Sequence, residues 1–420
     1  MTSLARRLRS RGHDVVSIGL PDAAPLVRDA KLPFVAYCEK EYPAGLIREK
    51  MDSLSRLQGQ DALEFTHRAI AGILQAEFDH LPQALRETGV EALVLDGVQI
   101  ELGFVPMHLD MPYVHVSNSL HYDFSGHTPL FAFDWPYETT PEAFARNKDG
   151  VRSFLRLLER NRSVGRAYAK EVGLNLDCND PLAGISKLAW LTQTPKEFDF
   201  PSSHLPPQFH HTGPFHDGFG RNEPDFPWDR LTGEPLIYAS MGTAQNGLES
   251  VFNTIAQAVG ERTGLQLVLA IGPVLDPQQI KSLPASSIVV NYAPQIELLK
   301  RSALCITHAG LNTTLEALTQ GVPLVAIPVT NDQPGVAARI AYTKTGASVS
   351  LKELTVSQLT LPIDEVLRNP EYRDNANRLR QVIAQTNGLE KAVDLLEGAL
   401  GLASFSIELD AGRISSPLGV

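Results

Sequence analysis

Hydrophobic residues in the first half of the chain come in short runs, and stretches with helical periodicity separate these runs. Four of the runs have the length and composition of buried β-strands. They are Asp14–Ile18, Ala92–Asp96, Tyr113–Val116 and Leu188–Leu191. Short apolar runs that alternate with helices are typical of a parallel sheet covered by helices on both faces.

A stretch with little periodicity follows, between about residues 195 and 230. It contains seven prolines, and such a composition is typical of a linker between domains. The alternating pattern then resumes, which predicts a second sheet of the same kind. The strands predicted in this half are Leu236–Ser240, Gln266–Ala270, Ser287–Val290, Leu304–Thr307 and Leu324–Pro328.

The whole pattern predicts an α/β protein with two doubly wound, Rossmann-like domains that face a cleft. We place the N-terminal domain at residues 1–200, the linker at 201–230 and the C-terminal domain at 231–385. A C-terminal helix and tail occupy 386–420, with a helical pattern over 373–399. Ligands of such sheets bind outside the carboxyl ends of the strands, so the cleft is the expected site.

Composition narrows the classes of partner. The 420 residues are 43% hydrophobic and 20% charged, which is ordinary for a folded protein. A net charge of −11 argues against nucleic acid, because Lys and Arg supply most of that affinity. Three cysteines without metal or disulfide spacing, and no membrane span or signal region, predict a cytoplasmic protein without a metal site. Transient docking on a membrane surface stays open.

The candidate chemistry lies around residues 307–317, where a strand, a glycine-containing turn and a helix follow one another. The turn presents His308 and the backbone amides of Gly310, Asn312 and Thr313 at a helix N-terminus. Oriented N–H groups and the helix dipole favour a phosphate there, so the segment predicts a diphosphate site.

Three acidic or amide side chains complete this pattern. Glu316 lies one turn into the helix, from which its carboxylate reaches a ribose beside the phosphates. Asp332 and Gln333 follow the next strand at the same carboxyl edge and offer acceptors and donors for sugar hydroxyls. The spacing therefore predicts a nucleotide-sugar site.

These residues resemble the donor-binding signature of family 1 glycosyltransferases, the UDP-glycosyltransferases. Within this family, three segments are most similar to bacterial macrolide-type and zeaxanthin glucosyltransferases. They are THAGLNTTLEAL (307–318), GVPLVAIP (321–328) and NDQ (331–333). The resemblance implies the GT-B fold and an inverting transfer of a hexose, glucose from UDP-glucose, to a hydroxyl of a lipophilic acceptor such as a carotenoid or polyketide. It also implies that no cofactor or metal is needed.

The resemblance assigns roles to individual positions of the donor site. Tyr292 would stack on uracil, and Ala293 would bond to the base through its backbone. Glu316 would bind the ribose, and Asp332 with Gln333 would hold the transferred sugar. The remaining donor-binding residues are Gln295 and, around the diphosphate, Gly242, Thr243, His308, Gly310, Asn312 and Thr313.

The same resemblance implies a histidine base supported by an aspartate. Asp96, which ends a predicted strand, matches the aspartate, although an aspartate in this position is often only a helix cap. The histidine follows the first strand in family members, whereas this sequence opens on residues that already read as the next helix. We therefore expect the first strand and the catalytic histidine to be absent, and we do not assign that role to His13, which lies beyond the helix.

Several alternatives remain at this stage. The missing base motivates a truncated or non-catalytic nucleotide-sugar-binding protein, and a GT-B epimerase or GlcNAc transferase would share the fold. The aromatic segment 121–137 belongs either to the core or to an apolar acceptor pocket. Four histidines in the proline-rich stretch are interpreted as a surface loop rather than a metal site because their spacing is irregular; they are His204, His210, His211 and His216.

Overall fold

The computed structural model describes residues 1–177, 179–218, 224–242 and 247–402. The described strands of the first half are β1 (Ser17–Gly19), β2 (Phe34–Ala36), β3 (Leu93–Asp96), β4 (Tyr113–Ser117), β5 (Trp190–Thr192) and β6 (Phe209–His211). Its α-helices are α1 (Thr2–Ser10), α2 (Ala24–Asp29), α3 (Leu46–Leu54), α4 (Gly59–Thr88), α5 (Phe104–His108), α6 (Pro141–Leu157) and α7 (Glu159–Glu171).

The N-terminal strands form two separate parallel sheets. Strands β3, β4, β5 and β6 pair in that order, while β1 pairs with β2 alone. The absence of the first strand and its histidine stays a prediction. Strand β6 lies inside the stretch predicted as linker, so the N-terminal sheet extends past residue 200. The hydrophobic pattern did not predict this strand, because two of its three half-buried residues, Phe-His-His, are polar.

The second half contains the strands β7 (Leu236–Ser240), β8 (Gln266–Ala270), β9 (Ile288–Val290), β10 (Ser302–Thr307), β11 (Leu324–Ala326) and β12 (Gly346–Ser348). Its α-helices are α8 (Glu249–Gly260), α9 (Gln295–Leu299), α10 (Leu311–Thr319), α11 (Gln333–Tyr342), α12 (Val356–Arg368), α13 (Pro370–Thr386) and α14 (Gly388–Leu400).

These six strands form one parallel sheet in the order β12, β11, β10, β7, β8, β9. Every residue of β7, β8 and β11 is buried, as expected for a parallel sheet covered on both faces. The order of the strands reverses between β7 and β10. In doubly wound folds this switch point opens the crevice in which ligands bind.

The helical pattern predicted over 373–399 corresponds to two helices, α13 and α14. Asn387 adopts a left-handed conformation with φ of 47°, which ends α13 and turns the chain into α14. Helix α14 then returns to the N-terminal domain, where Val393 and Leu396 join a buried cluster with Leu4 of α1 and Val114 of β4. The C-terminal helix thus stabilises the first domain.

The chain crosses between the domains at two places that touch. The first crossing follows β6 and the second precedes α14. A side chain on Gly388 would meet the carbonyl carbon of Gly213 at 2.5 Å, so both backbones need glycine at this point. Gly213 itself has φ of 93°, a conformation that other residues rarely adopt.

A buried ion pair joins the domains elsewhere. The Nε of Arg339 on α11 donates to Oδ1 of Asp199 at 2.7 Å, and both side chains are almost fully buried. The guanidinium also lies over the ring of Phe200 at 4.3 Å. Because the two charges have little access to water, removal of either one would leave the other buried without compensation.

Candidate functional site

The switch point of the C-terminal sheet brings His308 and Gly242 together. His308 follows β10, and Gly242 follows the neighbouring strand β7. A Cβ atom on Gly242 would lie 2.4 Å from Cε1 of His308, and one on Gly310 would lie 2.4 Å from its Nε2. The imidazole is therefore held between two glycines, and neither position has room for a side chain.

The turn after His308 exposes the N-terminus of α10. Ala309 is buried with φ of 66°, a strained conformation for a residue with a side chain. Gly310 then serves as the N-cap residue, and no side chain caps the first amides of the helix. Uncapped amides and the helix dipole make this end of α10 a suitable phosphate site.

Burial and one backbone contact determine the protonation of His308. Burial lowers the pKa of His308 to about 4, against the opposing effect of a hydrogen bond with the Ser240 backbone. At neutral pH the ring therefore carries one N–H and no charge. The Ser240 carbonyl already accepts that N–H, so a bound phosphate would be met either by this N–H after it leaves Ser240 or by the second N–H of a protonated ring, which the phosphate charge favours.

A hydrogen-bonded cluster surrounds Glu316. The Nε2 atom of Gln295 donates to Oε2 of Glu316 at 2.5 Å and lies 3.4 Å from Oγ1 of Thr313. The hydroxyl of Tyr238 donates to Oε1 of Gln295 at 2.9 Å. Glu316 is 3% exposed, so these contacts hold a buried carboxylate in one orientation beside the start of α10.

Tyr292 and Ala293 lie in the turn between β9 and α9. Tyr292 is 55% exposed, which is unusual for a large aromatic residue. An exposed ring in a turn at the carboxyl edge of the sheet provides a surface on which a base can stack. The position agrees with the role implied by the resemblance, which remains a prediction.

Asp332 and Gln333 begin α11, and both make contacts within the protein. Oδ2 of Asp332 accepts from the backbone N–H of Leu120 at 3.1 Å, across the cleft. Burial raises the pKa of Asp332, and this hydrogen bond opposes the rise. Oε1 of Gln333 accepts from the N–H groups of Val329 and Thr330. The two side chains thus border the cleft while shaping the loop that presents them.

Gln193 is a site residue that sequence reasoning missed. It follows β5, and its Nε2 donates to the Asn118 carbonyl at 2.6 Å and to Oδ1 of Asn312 at 2.8 Å. The N-terminal domain therefore contacts the predicted phosphate site directly. The position of Gln193 at the carboxyl end of a strand was the only available signal.

Asp96 lies at the carboxyl end of β3, as expected, and is exposed. Its Oδ1 accepts from the N–H of Val98 at 3.0 Å, and its Oδ2 accepts from Nδ2 of Asn118 at 2.8 Å. The first contact closes the turn after β3, so Asp96 is not the cap of the following 3-10 helix, whose N-cap residue is Gln99. His13 instead follows the C-terminal end of α1, where its Nε2 lies 2.8 Å from Oε1 of Glu397 on α14.

The aromatic segment 121–137 contributes mainly to packing. Tyr122 and Phe131 are buried against Phe154. The carbonyl of Phe131 also accepts from the N–H of Gly335 on α11 at 2.8 Å. This part of the segment is therefore core and domain contact.

Some predictions lie beyond these observations. Thr243 and the tail from residue 403 fall outside the described residues. Within the described ranges, no group of three His, Cys, Asp or Glu residues is arranged to hold a metal ion. Each described helix is also too short or too polar to cross a bilayer.

The two doubly wound domains, with a site at the switch point of the second, define the GT-B class of glycosyltransferases. Solved structures with this fold include the glycotransferase of kitacinnamycin, with a TM-score of 0.70, 22% identity, and coverage of 95% of this chain and 94% of that one. The calicheamicin glycosyltransferase CalG4 has a TM-score of 0.69, 21% identity and the same coverage. The predicted fold class is confirmed.

The sequence comparison narrows this class. The chain belongs to the UDP-glucoronosyl and UDP-glucosyl transferase family, whose model matches residues 166–397. It is 28% identical to the zeaxanthin glucosyltransferase of Pantoea ananas over 404 residues, which cover 94% of this chain and 92% of the relative. The predicted family is confirmed, and the chain is a family 1 glycosyltransferase.

Proposed function

We propose that the chain transfers glucose from UDP-glucose to a hydroxyl of a lipophilic small molecule, with inversion at the anomeric carbon. The observation that carries this proposal is the placement of His308 beside the uncapped N-terminus of α10, between Gly242 and Gly310. Family membership and the exposed ring of Tyr292 support the same donor site.

In the proposed reaction the acceptor oxygen attacks the anomeric carbon as the bond from this carbon to the β-phosphate oxygen breaks. The bonding electrons pass to the departing diphosphate, whose negative charge increases. The N–H of His308 and the first amides of α10 stabilise that charge, so the donor-side chemistry uses no metal. A base takes the acceptor proton, and Asp96 would orient this base from the N-terminal domain.

The acceptor is the second part of the proposal. A relative that covers nearly the whole chain is named for zeaxanthin, a hydroxylated carotenoid. The long apolar body of such a molecule would lie against the N-terminal domain, with one hydroxyl in the cleft between Asp96 and Asp332. We therefore propose a carotenoid or similarly apolar alcohol as acceptor.

The test is a UDP-release assay with UDP-glucose and a panel of hydroxylated apolar acceptors that includes zeaxanthin. The wild-type chain should release UDP only with a suitable acceptor, and product masses should increase by one hexose. His308→Ala should reduce UDP affinity by about 10-fold or more, since a charge-assisted hydrogen bond contributes about 1.5–3 kcal/mol. His204→Ala, at an exposed position, is the matched control. Absence of UDP binding by the wild-type chain would contradict the donor site.

The contacts of Asp96 favour a second candidate function, which is binding of the nucleotide sugar without transfer. In the described part of the chain, the contacts of this carboxylate are with Val98 and Asn118 rather than with a histidine. A binding protein would give a calorimetric signal with UDP-glucose and no hexosylated product from any acceptor. Product formation would rule out this alternative.

A further inference from the structure

The turn after β4 lies between the strand ends that carry Asp96 and Gln193. In the N-terminal sheet, β4 pairs with β3 on one side and with β5 on the other. Asn118 is the first residue after β4, while Asp96 is the last residue of β3. Asn118 is half-buried and Asp96 is exposed. The topology thus brings an amide side chain beside the carboxylate that is proposed to support the base.

Packing of the two strand ends determines how far apart Asp96 and Asn118 lie. The N–H of Gly97 donates to a carbonyl of β4 at 2.9 Å, and a Cβ atom on Gly97 would lie 2.6 Å from Oγ of Ser117. This Oγ accepts from Nε1 of Trp190 at 2.9 Å, and the Trp190 ring is fully buried. The backbone beside each of the two polar residues is therefore held by the core.

The side chain of Asn118 fills one of the acceptor positions of Asp96. Its Nδ2 donates to Oδ2 of Asp96 at 2.8 Å, while Oδ1 of Asp96 accepts from the N–H of Val98. A carboxylate has more acceptor positions than these two donors fill, so it can also accept from a base. An amide does not titrate, so Asn118 can orient the carboxylate without exchanging a proton with it.

The backbone of the same turn bonds towards the donor side. The Asn118 carbonyl accepts from Nε2 of Gln193 at 2.6 Å, and the N–H of Leu120 donates to Oδ2 of Asp332 at 3.1 Å. The backbone of Asn118 is thereby fixed independently of its side chain. A change of the side chain alone should leave the donor side in place.

We propose that Asn118 is a positioning residue for the transfer reaction, because its amide fixes the orientation of the Asp96 carboxylate and thereby of the base that Asp96 supports. This inference rests on the proposed function. A misoriented base lowers the rate of proton removal even when both substrates stay bound. Loss of the amide should therefore lower kcat and spare the binding of the donor.

The experiment combines steady-state UDP release, with UDP-glucose and an accepted hydroxylated acceptor, with calorimetric titration of UDP. The variants are Asn118→Ala, Asn118→Asp, Asp96→Asn and the double variant of Asp96→Asn with Asn118→Ala. Asn118→Asp keeps the shape of the side chain and replaces the donor with a carboxylate. Asn179→Asp, at an exposed position, is the control for added charge. Thermal unfolding of each variant provides a separate check on folding.

Asn118→Ala should lower kcat about 10-fold and leave KM for UDP-glucose and Kd for UDP within about twofold, because the lost hydrogen bond is to a charged group. In the Asp96→Asn background the same change should cause no further loss of kcat. Asn118→Asp should lose more activity at roughly pH 8 than at roughly pH 6, because two adjacent carboxylates share a proton at the lower pH and that proton restores the bond. Asn179→Asp should show none of these effects.

Three results would overturn the role of Asn118 while leaving the transfer reaction intact. They are an unchanged kcat in Asn118→Ala, an equal loss of kcat in the Asp96→Asn background, and a loss confined to KM. A wild-type chain that binds UDP and turns over no acceptor would instead contradict the proposed function, and the inference with it.

Discussion

The two glycines that enclose His308 allow its position to be tested without changing the histidine itself. Alanine at Gly310 would place a Cβ atom 2.4 Å from Nε2 of His308, against an ordinary contact distance of 3.4 Å or more. The ring must then move by about 1 Å, and its Cε1–Nε2 edge is also packed closely against Gly242. Because Gly310 has φ of −62°, alanine fits its backbone conformation and the effect comes mainly from the ring.

The expected loss follows from the bond that His308 would make. A hydrogen bond to a charged phosphate contributes about 1.5–3 kcal/mol, and a donor displaced by about 1 Å loses most of it. Gly310→Ala should therefore weaken UDP binding by roughly 10- to 100-fold. Gly242→Ala should show the same loss and an added destabilisation of about 1–2 kcal/mol, because Gly242 has φ of 73°.

Gly264 provides the matched control for backbone strain. It has the same φ of 73°, and a Cβ atom there meets nothing within 4 Å. Gly264→Ala should lower the unfolding free energy by about 1–2 kcal/mol and leave UDP affinity unchanged. Titration calorimetry with UDP and urea unfolding separate the two effects. If Gly310→Ala binds UDP as tightly as the wild-type chain, the reasoning that places His308 against the diphosphate is refuted.

Three further predictions concern the stability of the fold and the proposed stacking of uracil on Tyr292. Arg339→Met should lower the unfolding free energy by about 3–5 kcal/mol, because the buried Asp199 carboxylate then lacks its arginine partner. Urea unfolding measures this loss, and the double variant with Asp199→Asn should recover part of it. Burial lowers the pKa of His67 to about 4. Between pH 6.5 and 4 this histidine is therefore protonated in the unfolded chain and neutral in the folded chain, so the unfolding free energy should fall as the pH drops through this range. His67→Leu should reduce that fall, and equal urea midpoint shifts between pH 7 and 5 in both proteins would contradict the assignment. Tyr292→Ala should weaken UDP binding about 5-fold or more, because the uracil ring loses its stacking surface. Calorimetry measures this loss, and the affinity for inorganic pyrophosphate, which has no base, should be unchanged.

Strand prediction was accurate where burial on both faces makes the whole run apolar. Leu236–Ser240 and Gln266–Ala270 coincide with β7 and β8 for this reason. The prediction was poorer where strands are short and half-buried, as in β1, which begins at Ser17 rather than Asp14, and in β6, which was missed. A three-residue strand carries too little periodicity to be distinguished from a loop.

The candidate site divides in the same way. Residues close in sequence, such as His308, Gly310 and Glu316, could be predicted as one group because a helix N-terminus imposes their relation locally, and their roles stay predictions. Gln193 and His216 were not predicted, since they approach the candidate site only through the packing of one domain on the other. Neither periodicity nor spacing contains that information.

The contact between Gly213 and Gly388 places both chain crossings at one point, so a rotation of one domain against the other would turn about this point. A rotation about this point changes few contacts there, so its free-energy cost arises where the domains are bonded across the cleft. Those bonds include Leu120 to Asp332 and Gln193 to Asn312, and the acceptor in each is a proposed donor-site side chain. An incoming nucleotide sugar offers hydroxyl and phosphate groups to the same side chains, so closure of the cleft by these bonds and binding of the donor compete for Asp332 and Asn312.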